Sequence, residues 1–190
     1  MSFLKKAVYT LIWSFLLFAS TSSFAQKPAS GEQLQIEAKQ KIQNFAQTLK
    51  ASLTSAVKAG GLEAGVEVCS KQAPAIANSL STDGWQVSRI SLKPRNPANT
   101  PSAWQQTVLE RFEAQKAEGK PVADLVFKTQ DKSTFSLIKA IPTGEICLKC
   151  HGSAIAPEVR QTIKRYYPKD QATGFTVGDI RGAFVVEKAR

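Results

Sequence analysis

Cys147-Leu148-Lys149-Cys150-His151 concentrates more chemistry than any other stretch of the chain. Two thiols two residues apart can reach the two vinyl groups of one porphyrin, and the imidazole that follows can meet its iron. C-x-x-C-H is therefore the attachment signature of a c-type haem. Two other chemistries use the same residues. Three cysteines and one histidine are the composition of a Cys3His zinc site. His151 follows Cys150 directly, however, and tetrahedral zinc ligands are normally spaced so that each can turn inward. A Cys147–Cys150 disulfide, structural or redox-active, is the other reading; it closes too small a loop to add much stability and leaves His151 without a task.

The ligand inventory narrows the iron chemistry. His151 is the sole histidine and Met1 the sole methionine, and Met1 belongs to a segment expected to be removed. His/Met and bis-His pairs are thereby excluded within one chain. A thiolate, a lysine amine, a tyrosinate, water or nothing remains opposite His151. Cys69 is the odd thiol left once Cys147 and Cys150 are used, and an unpaired thiol in an exported protein needs a reason. It could be a small buried hydrophobe on a helix. Coordination fits better, because ferric iron stabilises the thiolate where apolar burial would raise the thiol pKa. Thiolate donation favours the ferric state, so a low reduction potential and loss of Cys69 on reduction are expected.

Haem propionates need cations or donors. Arg89, Lys93, Arg95 and Asn96 lie on or beside the proline-rich run from Lys93 to Pro101, and guanidinium groups suit paired contacts to carboxylates. Ordinary surface charge is the competing reading of each. Trp104, Phe112, Tyr166 and Phe175 are candidates for a haem wall.

Residues 1–25 read as a cleaved secretory signal: Lys5 and Lys6, an apolar run from Leu11 to Ala19, and Ser23-Phe24-Ala25 before Gln26. The apolar run is shorter than the roughly 20 residues that span a bilayer. Residues 26–190 are then expected as a single periplasmic domain, which suits the haem reading because c-haem attachment takes place outside the cytoplasm. The chain of 190 residues carries a net charge of +10 and is 43% apolar, ordinary for a globular protein. Its basic surface suits an acidic redox partner or anionic lipid headgroups. No Arg-rich run interleaved with aromatics points to nucleic acid.

The elements that must position these groups are legible from periodicity. Apolar residues at threes and fours predict an amphipathic helix from Glu32 to Lys58, stopped at Ala59-Gly60-Gly61. A second helix from Leu62 to Ser81 carries Cys69 facing inward, with Pro74 bending it or starting a new turn. Trp85 to Ser91 alternates as a strand. Three prolines make Lys93–Pro101 a loop, Thr100 and Pro101 open a helix to Glu118, and Leu125–Phe127 pairs with Thr134–Ile141. Pro157–Tyr167 is a short helix and Ile180–Glu187 the last strand. This order lacks βαβ alternation, so the expected class is α+β: a PAS-like antiparallel sheet with long N-terminal helices packed against it.

Several stretches, in order, resemble the single-haem c-type PAS-like haem-binding family, a domain of unknown function also found as the sensor part of histidine kinases. They are Val68-Cys69-Ser70, Ala73-Pro74-Ile76-Ala77, Arg95-Asn96-Pro97-Ala98-Asn99, Cys147 to Gly152, Tyr167-Pro168-Lys169-Asp170, Ala172 to Phe175 and Val177 to Ala183. The resemblance implies haem joined through Cys147 and Cys150, ligated by His151 and Cys69, with the Arg95-Asn96-Pro97 loop packed near it. No kinase or transmembrane module accompanies it here.

The expected function is that of an exported monohaem cytochrome acting in redox or diatomic-gas sensing through a separate partner protein. A low-potential periplasmic electron carrier is the alternative. A catalytic role is not expected, since no second histidine is available as a distal acid/base and no carboxylate pair can be placed by spacing. The long first helix offers a surface for homodimer pairing.

Overall fold

The computed structural model describes residues 29–189. The signal segment expected at residues 1–25 lies outside them. Helix α1 (Gly31–Leu80) begins at Ser30, whose hydroxyl accepts from Gln33 N at 3.2 Å. The glycine pair interrupts it: Gly61 adopts φ 76° and ψ −172°, a conformation open to a residue without Cβ. There the chain folds back into two antiparallel arms, residues 31–59 and 62–80. Lys41 Nζ donates to Leu80 O at 2.8 Å, and Gly65 lies so close to the first arm that a Cβ would stand 2.8 Å from Val57 Cγ2. Pro74 keeps helical dihedrals within the second arm and does not break it.

Four strands follow, β1 (Trp85–Ile90), β2 (Val126–Gln130), β3 (Thr134–Pro142) and β4 (Ile180–Ala189), in the antiparallel order β1-β4-β3-β2. One face of the sheet packs on α1 through Leu34, Ile42, Phe45, Trp85, Leu137 and Val186. The opposite face packs on α2 (Ala103–Ala117) through Val108, Leu109, Phe112, Ile138 and Val185. Alternation along each strand sends neighbouring side chains to opposite layers, which is why Phe184 joins the first core and Val185 the second. This is the α+β, antiparallel arrangement with long N-terminal helices that the sequence predicts.

Helix α2 starts two residues later than predicted. Ser102 is its N-cap, with Gln105 Oε1 accepting from Ser102 N at 3.1 Å. Thr100 instead closes a 3-10 turn at Pro97–Asn99, donating its hydroxyl to Pro97 O at 2.7 Å. Two short helices, α3 (Glu145–His151) and α4 (Pro157–Tyr166), lie between β3 and β4. A third apolar cluster, of Val66, Ile155, Val159 and Ile163, joins α4 to the second arm of α1. That contact holds the arm carrying Cys69 beside the helix that carries Cys147 and Cys150. Among the described residues no helix is long and apolar enough to cross a membrane.

Candidate functional site

Helix α3 begins after Gly144 and is capped by Gly152, whose N–H donates to Leu148 O at 2.9 Å. A Cβ at position 152 would stand 2.7 Å from that carbonyl oxygen, so glycine is required for the chain to leave the helix here. Spacings of three and four residues put Cys147, Cys150 and His151 on one face of the helix. All three cysteines are free thiols and half-buried. Cys150 packs into the cluster between α4 and the second arm of α1. Burial pushes its thiol up, with Arg95 opposing.

The loop after α4 returns to grip the end of α3. Phe175 N donates to His151 O at 3.0 Å, Gly174 N to Gly152 O at 3.1 Å, and Phe175 stands edge-on to the imidazole at 6.2 Å between centroids. His151 Nδ1 lies 2.8 Å from Ala172 O and 3.1 Å from Arg181 Nε. Burial, then the positive charges of Arg181 and Arg95, hold the imidazole well below its usual pKa, so it is neutral at pH 7. A neutral imidazole tethered through Nδ1 presents Nε2 as a donor to a metal.

Arg95 is the clamp of this region. It pairs with Asp170 through Nε–Oδ1 at 3.0 Å and Nη2–Oδ2 at 3.2 Å, and Nη2 also reaches Cys150 O at 2.5 Å and Ala172 O at 3.1 Å. It is only 8% exposed, and its donors bind the end of α3 to the 170–172 loop. Arg95 therefore positions the cysteine helix, a role distinct from the carboxylate contact expected of it. Asn96 caps the 3-10 turn, its Oδ1 accepting from Ala98 N at 3.0 Å.

Arg181 was not singled out among the sequence candidates. Ile141 pairs with Gly182 and Pro142 with Ile180, so Arg181 is the extra residue of a β-bulge. A bulge re-aims a side chain. This one delivers the guanidinium to His151, with Nη1 3.4 Å from Ser91 Oγ and Cζ 5.2 Å from the centre of the Phe175 ring. Burial and the charges of Arg95 and Arg89 pull its pKa down to about 10. The only sequence signal was Gly182, the residue a bulge of this kind demands.

Arg89 leaves β1 on the α1 face, with Cζ 5.3 Å from the centre of the Phe45 ring. Among the described residues its guanidinium has no hydrogen bond or ion pair. Burial pushes its pKa down while the Cys69 thiol opposes that shift. Cys69, half-buried on the second arm, has its pKa raised by burial, and Arg89, Arg95 and Arg181 act against the rise. Tyr167 shares the same field: burial first, then Cys69, lift its phenol to about 12. Three guanidinium groups thus act on Cys69 and His151, and of the three only Arg95 is ion-paired with a carboxylate, Asp170. Like charges brought together away from water are costly unless anions offset them, so the arrangement is suited to one or two further negative groups.

Two proposed wall residues lie elsewhere. Trp104 and Phe112 are on α2, against the sheet face opposite α1; Trp104 is 42% exposed and Phe112 is in the α2 core. Phe175 does stand against His151, and Tyr167 rather than Tyr166 is the tyrosine coupled to Cys69. Among the described residues no three His, Cys, Asp or Glu side chains gather closely enough to hold a metal ion directly, which removes the Cys3His zinc arrangement.

The Tll0287-like family model matches residues 29–188. The crystal structure of the cyanobacterial heme-protein Tll0287 is similar to this chain with a TM-score of 0.61 and 27% identity, over 85% of this chain and 98% of that one. No curated protein matches.

Proposed function

The chain belongs to the Tll0287-like family, and from that premise we propose that it is an exported cytochrome carrying one haem c, attached through Cys147 and Cys150. His151 supplies one axial ligand and Cys69 the other. The observation that carries this reading is the guanidinium surplus around Cys69 and His151, above all Arg89, which has no hydrogen-bonded or anionic partner of its own among the described residues. Two propionates are the anions such a site lacks. The donor set fits as well: two free thiols and a neutral imidazole share one helix face, and a third thiol arrives on a different element.

The bound group would supply reversible one-electron chemistry and an iron able to take a small ligand. The protein does the rest. Arg95 fixes the end of α3 by holding Cys150 O, and Ala172 O holds the imidazole tautomer by accepting from Nδ1. Phe175 shields that side from water. Cys69 sits on an arm that joins the molecule through the sheet core at one end and α4 at the other. A thiolate that departs on reduction gives the site two states, which is what a redox or diatomic-gas sensor reporting to a separate partner requires.

One observation favours the electron-carrier reading. Ile146, next to Cys147, is 65% exposed, which puts this end of α3 at the protein surface. A redox partner docking there would approach the attached group closely.

The deciding experiment is intact mass and the oxidised and reduced spectra of protein made in cells competent for c-type maturation and recovered from the periplasm. One macrocycle per chain is expected, lost in Cys147→Ser with Cys150→Ser. A chain of unmodified mass would end the proposal. Carbon monoxide uptake by the reduced protein supports sensing, whereas a reduced form that stays six-coordinate supports electron transfer.

A further inference from the structure

Phe175 belongs to a loop, yet it is only 7% exposed, and Lys93, Arg181 and His151 all stand against its ring. Lys93 Nζ lies 4.8 Å from the ring centre and Arg181 Cζ 5.2 Å, while the His151 imidazole meets it at 87° with 6.2 Å between centroids. The backbone is engaged as well, Phe175 N donating to His151 O at 3.0 Å. We propose that Phe175 is the positioning residue of the imidazole, fixing the rotation of the His151 ring, and that Lys93 acts on that ring only through Phe175. The inference deepens the haem reading and rests on His151 being an axial ligand.

The contacts of His151 show why a second constraint is needed. Ala172 O holds Nδ1 at 2.8 Å, but a carbonyl accepts over a broad range of directions, so that one bond leaves the imidazole free to swing about the contact. A perpendicular ring packed against it removes that swing. Arg181 Nε, 3.1 Å from the same Nδ1, competes with the carbonyl for it. The electron-rich face of Phe175 gives the guanidinium another resting place, beside Ser91 Oγ, which accepts from Nη1 at 3.4 Å. Leucine is apolar but has no ring to offer either neighbour, so Phe175→Leu loses both effects.

Lys93 completes the arrangement from the solvent side. Its side chain is exposed, and Nζ donates to Thr173 O at 2.7 Å while standing over the Phe175 ring. Gly174, between those two residues, has φ 74°, and a Cβ there would lie 3.9 Å from Lys93 Nζ. The lysine thus bridges the turn that sends Phe175 inward, and a cation held over a ring face resists the withdrawal of that ring. Among the described residues Lys93 has no hydrogen bond to His151, so Phe175 is its route to the imidazole.

The test uses the full haem-loaded protein in its ferric form and its electron paramagnetic resonance spectrum, because the g values follow the orientation of an axial imidazole plane. Contacts behind a ligand orient it without touching the metal. In Phe175→Leu the outer g lines should shift and broaden while haem content stays at one per chain. Lys93→Met should shift them in the same direction by less, and Lys93→Arg should return the wild-type lines. Lys132→Met, in the turn between β2 and β3, is the charge control. Because Lys93 also holds Thr173 O, the double variant decides its route: with Phe175→Leu already present, Lys93→Met should move the lines no further. The inference falls if Phe175→Leu keeps the wild-type g values, whatever it does to the denaturation midpoint. It falls equally if Lys93→Met shifts the lines as much without Phe175 as with it, which would assign the effect to the Thr173 bond. A chain that carries no haem overturns the haem reading and this inference with it, whereas a haem-bearing chain with indifferent variants overturns this inference alone.

Discussion

Arg181 Nε and the Ala172 carbonyl oxygen converge on one atom, His151 Nδ1, at 3.1 Å and 2.8 Å. The two contacts are mutually exclusive as hydrogen bonds, because a protonated Nδ1 donates to the carbonyl and only an unprotonated Nδ1 can accept from the guanidinium. Metal binding at Nε2 requires the first state. Arg181 then keeps its place through Ser91 and the Phe175 ring and acts on the site as a positive charge.

A positive charge beside the iron favours the reduced form, which carries one unit less positive charge. Arg181→Gln should therefore lower the reduction potential on the order of tens of millivolts, since some screening by solvent and by Asp170 remains. Spectroelectrochemical titration of wild type and variant measures it. A rise in potential would show that Arg181 acts through geometry instead of charge.

On the ligation proposed above, Cys69→Ala should remove the thiolate signature from the ferric spectrum and raise the potential on the order of a hundred millivolts, because a ligand that favours ferric iron would be lost. Covalent attachment at Cys147 and Cys150 should be untouched, as Cys69 lies on a different element. A ferric spectrum indistinguishable from wild type would place Cys69 among buried apolar residues and nothing more.

The sequence made some of this site legible and hid the rest for physical reasons. Gly60-Gly61 announced a helix stop because consecutive glycines weaken helix, and the fold-back occurs there. Strand alternation identified β1, whereas β4 is buried on both faces, by α1 on one side and α2 on the other. Cys147, Cys150 and His151 were readable because their spacing is local. Arg181 was not, because its direction depends on a register slip between β3 and β4 that only strand pairing creates. Phe112 fills the core between α2 and the sheet, a placement hidden in the sequence because helical periodicity reveals an apolar face but not which side of a sheet that helix will cover. Arg95 was read as a candidate partner for a haem carboxylate, with surface charge as the competing reading; the carboxylate it meets in the fold, Asp170, lies far along the chain and reaches it only after folding.

Gly182 packs tightly against the Ile90–Ser91 end of β1. A Cβ there would collide with Ile90 O and stand 3.2 Å from Ser91 Cβ, and its φ of 150° is one that L side chains rarely adopt. Gly182→Ala must push β4 away from the Ile90–Ser91 corner or relax the bulge, and either costs on the order of 3 kcal/mol. Chemical denaturation should report that loss. Because Arg181 is the preceding residue, the variant should also reproduce part of the potential shift of Arg181→Gln; a destabilised protein with an unshifted potential would separate the bulge from the aim of Arg181.

Asp179 ties the last loop to α2. It pairs with Lys116 at 2.6 Å and accepts from Thr176 N at 2.7 Å, while its backbone carbonyl accepts from Thr143 N at 2.8 Å. The Lys116 hydrogen bond, with the Thr176 bonds behind it, holds the Asp179 carboxyl below its usual pKa. A depressed carboxylate means that the unfolded chain binds the proton first. The contribution is therefore fully present above the ordinary value of about 3.9 and is lost as pH falls through the lower folded value. The pair is partly exposed, with side chains 32% and 29% accessible, so solvent screening limits the loss in Asp179→Asn to about 1 kcal/mol at pH 7. The gap between wild type and variant should persist down to about pH 4 and close below it. Urea melts at stepped pH measure this, and a gap that stayed constant to the lowest pH would mean that the Thr176 and backbone bonds, which Asn can still make, were never the issue and that packing of the loop was.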